Sequence, residues 1–131
     1  MSRTPVILLL LAALALAGGA AAVVAAELGG EARPTILVPG GDADRGRAAI
    51  ERYGCAACHM IPDVPGPQGG VGPDLANFAE RRYIAGDEPN APAELERWIQ
   101  DPQAVEPGTI MPDLGVSAPE ARDIAAYLYA H

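Results

Sequence analysis

Hydrophobicity along this chain is concentrated at its start and then broken into short pieces. From Val6 to Ala26 no residue is charged, and Leu and Ala dominate. At 1.5 Å per residue this run would span roughly 30 Å as a helix, enough to cross a bilayer. Read as an uncleaved membrane anchor, residues 1–26 leave Arg3 on the cytoplasmic side. Read as a signal peptide, Arg3 is the n-region and the cut follows Ala22 or Ala26. The run exceeds an ordinary signal-peptide core, which favours the anchor. Either way the remainder is exported. Residues 27–39 (ELGGEARPTILVP) carry Gly and Pro without a period and read as a linker. Residues 40–131 are then one small domain.

Within that domain the apolar positions recur at helical spacing. Asp42 can cap a helix running to about Tyr53, with Ile50 inside. Asn90-Ala91-Pro92 opens a second helix, Ala93 to Gln100, whose Leu95, Trp98 and Ile99 follow the i, i+3, i+4 rule, and Asp101-Pro102 ends it. Ser117-Ala118-Pro119-Glu120 is a capping box. It starts a terminal helix with Ile124, Tyr127 and Leu128 on its inner stripe. A short helix from about Leu75 to Arg82 is also expected. Pro62 to Pro73 holds four prolines and four glycines and must be irregular. No segment of appreciable length alternates as a half-buried strand does. The expected fold is all-α with long loops.

Composition sharpens this. A domain of this size with one Phe and one Trp is marginal on hydrophobic burial alone. Seventeen acidic residues stand against nine basic ones, all arginine, for a formal charge of −8. Nucleic acid is an improbable partner for such a surface. An acidic face serves solubility or docking onto a basic patch of a partner.

The chemistry lies in Cys55-Ala56-Ala57-Cys58-His59. Two thiols at this spacing can each form a thioether to one vinyl group of a haem, and the next residue carries an imidazole under the ring. A thioredoxin-like CxxC would want a βαβ context. Zinc needs about four ligands, whereas the chain offers these three residues and His131, at the end of the sequence and expected to fray. A disulfide would leave His59 unexplained. One motif implies one covalent haem c, with His59 as the proximal iron ligand. Among the methionines, Met1 precedes the apolar run and Met60 adjoins His59. Met111, between Pro107 and Pro112 in a loop held extended by them, is the candidate distal ligand. The alternative is an ordinary core methionine.

These motifs resemble a class I cytochrome c across residues 40–131. Asp42 to Cys55 is similar to that family's opening helix, with Gly46 and Ile50 packing against Ile124 and Tyr127 of the last. Val71-Gly72-Pro73-Asp74-Leu75 resembles the segment whose proline carbonyl receives the proximal imidazole's N–H. The resemblance therefore implies that Pro73 holds His59 and places Leu75 in the haem site. It further implies Arg81 and Thr109 as propionate partners and Trp98 as the aromatic beside the methionine. GPDLANFAERRYIAG and PNAPAELERWIQDPQAVEPGTIMP are similar to the cytochrome c domain fused to subunit II of caa-type oxidases, although no copper-binding half is present. No lysine occurs, so a lysine ring cannot guide docking.

The resemblance implies an electron-transfer protein rather than an enzyme. The expected function is a one-electron carrier of a respiratory chain on the periplasmic side of a bacterial inner membrane. Its expected partners are a terminal oxidase, a bc-type complex or a dehydrogenase, with membrane contact through residues 6–26 if uncleaved. Alternatives are the haem subunit of a periplasmic dehydrogenase, or a ligand-binding haem enzyme or sensor should Met111 leave iron open.

Overall fold

The computed structural model describes residues 35–131 of the chain. The apolar run Val6 to Ala26 and most of the linker lie outside these residues. No helix among the described residues is long and apolar enough to cross a membrane. The folded unit reaches further back than Gly40. Val38, assigned from sequence to the linker, is buried, Ile36 packs against the core, and Gly41 N donates to the Val38 carbonyl.

Four helices carry the domain: α1 (Ala43–Tyr53), α2 (Pro92–Gln100), the short α3 (Pro102–Val105) and α4 (Ala118–Ala130). Helix α1 begins where the Asp42 carboxylate accepts the Arg45 backbone N–H, and it stops at Gly54, which takes a left-handed φ of 70°. It packs across α4 at a point that only glycine permits. A Cβ on Gly46 would collide with the Asp123 carbonyl. Ala121 and Ala125, fully buried, keep α4 equally thin there, and Ile50, Ile124 and Leu128 fill the flanks. Helix α2 buries Leu95 and Ile99 and also lies on α4.

Polar groups lock this crossing. Asp123 accepts from the Arg45 guanidinium at 2.8 and 2.9 Å and from the Asp42 backbone N–H at 2.9 Å. Glu120 closes the capping box with Ser117. It also accepts from Tyr53 Oη at 2.7 Å and Arg52 Nη2 at 2.5 Å on α1.

Three local expectations change. Leu75 to Arg82 is a single 3₁₀ turn, Phe78–Glu80, because Asn77 is left-handed and the Asp74 carboxylate takes the Ala76 N–H. Asn90 Nδ2 donates to the carbonyls of Phe78 and Arg81, in place of helical N–H partners. Second, Tyr83–Ile84 and Glu88–Pro89 form a minimal antiparallel pair in the register Tyr83↔Pro89, Ile84↔Glu88. Two residues per strand are too few to register as alternation. Third, His131 does not fray: its ring stacks on Tyr127 with centroids 4.1 Å apart, and Nδ1 lies 2.9 Å from the Tyr127 carbonyl. Pro102, read as a terminator, both ends α2 and opens α3.

The α1–α4 lock has a pH signature. Hydrogen bonds from Ser117 and Tyr53 pull the Glu120 carboxyl down to about 2, and the Arg45 guanidinium holds Asp123 below its ordinary range. Folded pKa values below the unfolded ones give stability that is present above about pH 4–5 and is lost as pH falls toward 2. Glu120→Gln should therefore lower the thermal midpoint at pH 7, with the gap to wild type closing between about pH 4 and 2. A gap independent of pH would show that the Glu120 charge contributes nothing.

Candidate haem site

Everything predicted for the site lines one cavity of about 540 Å³, within the ~300–1,000 Å³ typical of ligand and cofactor pockets. Its wall is apolar, with Ile50, Leu95, Ile99 and Leu128 from three helices and Phe78 and Ile84 from the central loops. Cys55, Cys58, His59, Pro73, Leu75, Arg81, Trp98, Thr109 and Met111 all border it. Met60 does not; it is 49% exposed.

Local sequence explains how each arrives. Left-handed Gly54 turns the chain out of α1 into the 3₁₀ turn Cys55–Ala57. Cys58 N and His59 N both donate to the Cys55 carbonyl, at 3.2 and 3.0 Å, which winds both sulfurs and the imidazole onto one side. Both cysteines are half-buried and not joined in a disulfide. The glycine- and proline-rich loop then folds back over the motif. Gly69 N donates to Ala56 O at 3.0 Å, Gly72 N to Cys58 O at 2.8 Å and Leu75 N to Met60 O at 2.8 Å. A side chain at Gly69 would strike the Ala57 carbonyl, and one at Gly72 the His59 ring.

That close approach brings the Pro73 carbonyl 2.8 Å from His59 Nδ1. A carbonyl can only accept, so Nδ1 carries the proton and Nε2 keeps its lone pair for a metal. Such a bond also orients the ring and strengthens it as a donor. Arg81 borders the cavity with its guanidinium over the Phe78 ring at 5.2 Å and one N–H given to the Asp74 carbonyl. Thr109 Oγ1 lies 3.4 Å from Met111 N, on a loop reached from α3.

Two site-ordering residues escaped the sequence reading. Gln68 accepts the Ile61 N–H at 2.8 Å and donates to Val64 O at 2.6 Å, pinning the loop that carries Pro73. Gln103 holds the loop that carries Met111. A glutamine has no period or motif of its own, so nothing in the sequence marked them.

The donor set fits a haem: paired thiols for two thioethers, an imidazole with Nε2 free, a thioether sulfur from another loop, and an apolar wall. Arg81 and Thr109 add polar side chains to the cavity border. The Cytochrome c family model matches residues 43–130. The chain belongs to the cytochrome c family. Covalent haem c is the cofactor of that family, and electron transfer is its work.

Among curated relatives, cytochrome c oxidase subunit 2 of Alkalihalophilus pseudofirmus is 38% identical over 87 residues, covering 66% of this chain and 25% of that protein. The corresponding subunit of Bacillus sp. strain PS3 is 35% identical over 65 residues, covering 48% of this chain and 18% of that protein. Cytochrome c2 of Agrobacterium tumefaciens is 33% identical over 106 residues, covering 67% of this chain and 90% of that protein. This cytochrome c thus spans about a quarter or less of the oxidase subunits and most of the cytochrome c2.

Gly72→Ala should push on the His59 ring, lower the yield of haem-loaded protein and cost roughly 1–3 kcal/mol of stability. Gly70→Ala, whose Cβ meets nothing within 4 Å, should leave both unchanged. Soret absorbance per mole of chain and thermal unfolding check this. Equal behaviour of the two variants would remove the steric role of Gly72.

Proposed function

We propose that this cytochrome c is a one-electron carrier with His59 as proximal and Met111 as distal iron ligand, and that it delivers electrons to a terminal oxidase. The observation that carries the reading is the pairing of a Pro73-oriented imidazole with a thioether, each brought to the same cavity by its own loop. A bound haem would supply a metal able to exchange one electron without bond chemistry, with His59 and Met111 as the residues that would hold it. The chain's residues do the rest. His59 gives a strong, oriented nitrogen donor, and Met111 a weak sulfur donor that favours the reduced metal and raises the potential. The apolar wall excludes water, and Arg81 and Thr109 offset propionate charge.

The likeness to oxidase subunits supports an oxidase as acceptor, and the near-full coverage of a cytochrome c2 supports a carrier in its own right. We place the domain on the periplasmic side of a bacterial inner membrane, on the strength of the apolar run before it and the thioether chemistry of its motif. Anchoring there would raise the effective concentration at the acceptor without new contacts.

Charge placement supports the docking sign. Arg45, Arg47, Arg52, Arg97 and Arg122 are each paired with a carboxylate. Among the described residues Asp63, Asp74, Glu106 and Asp113, on the loops bearing the site, make no ion pair, and neither do Arg81 and Arg82, which leaves these loops with an acidic excess. An acidic excess on these loops fits a basic acceptor surface.

The oxidised wild type should show the weak sulfur-to-iron charge-transfer band, and its reduced spectrum should ignore CO. Met111→Ala should lose the band, bind CO and shift to lower potential. An unchanged spectrum and potential would remove Met111 as ligand, and CO binding by the wild type would favour an open-iron enzyme or sensor. Electron transfer from a version lacking residues 1–26 to a membrane oxidase should slow as salt rises past about 0.1 M, where the Debye length is ~10 Å. A rate indifferent to salt would reduce the acidic excess to solubility.

A further inference from the structure

The segment that brings Met111 to the site contains no regular structure of its own. It turns through Thr109 N to Glu106 O at 3.1 Å and through Gly108 at a φ of 88°, and Ile110 stands 79% exposed. The Met111 N–H reaches only the Thr109 hydroxyl, at 3.4 Å. A loop tied so lightly opens easily unless something outside it holds the backbone.

Gln103 does so with one planar group. Its Nε2 donates to Thr109 O at 2.8 Å and to Met111 O at 3.1 Å, while Oε1 accepts from Gly108 N at 3.2 Å. Two carbonyls and one N–H match a primary amide in a single orientation; flipped, every pair would be like against like. The base is firm. Helix α3 starts with buried Pro102, and the Asp101 carboxylate caps it by accepting from Ala104 N at 3.0 Å. Glu106 N closes it onto the Pro102 carbonyl at 2.9 Å.

We propose that Gln103 is the positioning residue that retains Met111, setting how readily the thioether yields its place to another ligand. The proposal rests on Met111 being the distal ligand. Solvent-exposed hydrogen bonds are individually weak, but these three break together when residues 108–111 move. Their loss shifts the balance between closed and open loop by about tenfold or more. No stability of the α1–α4 core depends on them, because Gln103 is exposed and contacts neither helix through these bonds.

The test is an imidazole titration of the oxidised holoprotein, followed by the sulfur-to-iron charge-transfer band, with far-UV circular dichroism recorded on the same samples. Gln103→Ala should lose the band at about tenfold or more lower imidazole than wild type, with unchanged ellipticity. Gln103→Glu keeps the acceptor for Gly108 N but sets a carboxylate against two carbonyls, so it should behave like Gln103→Ala. Gln100→Ala removes a glutamine that bonds only within α2, to Glu96 O at 2.9 Å, and should titrate as wild type. Wild-type titration by both Gln103 variants, with Met111→Ala open, would overturn the proposal and leave Met111 as ligand. Retention of the band in Met111→Ala would overturn the ligation and the proposal together. A Gln100→Ala variant as weak as Gln103→Ala would reduce the effect to general loosening and overturn the specific role.

Discussion

The structure turns on a space that its own side chains cannot fill. A small chain with one Phe and one Trp wraps a cavity of about 540 Å³ whose wall comes from every helix except the shortest. Protein interiors pack near crystal density, and an apolar void of this size is costly unless a large apolar object sits in it. Haem c is that object in this family, and its two thioethers make it part of the chain. The α1–α4 crossing supplies one rigid side. Gly46, Ala121 and Ala125 bring the helices close enough for Asp123 and Glu120 to bind α1 directly, and Ile50, Ile124 and Leu128 face the cavity from there.

Loops make the rest of the wall, and loops need other means of order. On the His59 side, Gly69 and Gly72 allow the backbone to lie against the Cys55–His59 turn, and the reward is the Pro73 carbonyl at Nδ1. On the Met111 side there is no such close packing. Here an amide side chain on a capped four-residue helix takes its place. On the proposed ligation, His59 is held by close packing and Met111 by exposed hydrogen bonds, which would suit an imidazole that stays and a thioether whose bond to metal is weak.

Much of this was legible in the sequence, and for stated reasons. Cys55, Cys58 and His59 are marked by spacing that chemistry imposes. The starts of α1 and α4 are marked by Asp42 and by Ser117 with Glu120, whose side chains do the capping. Pro73 as partner of His59 came from likeness to a family, and the geometry agrees with it. What stayed hidden depends on contacts distant in sequence or on single residues without a pattern. Asn77 and Asp74 broke the expected helix at Leu75 to Arg82 through a left-handed residue and a competing carboxylate. Val38 joins the core across what reads as linker composition, and Gln68 and Gln103 act through amides that any polar loop could carry.

The central claim is that this domain is folded around its cofactor and not merely decorated by it. The direct measurement is a two-dimensional amide NMR spectrum of the chain with Cys55 and Cys58 both replaced by serine, prepared without haem, beside the holoprotein. The account predicts a collapsed, poorly dispersed spectrum, with at most the α1–α4 pair retaining order. A well-dispersed spectrum matching the holoprotein through residues 60–115 would contradict it, since the loops would then hold their places without the object they enclose.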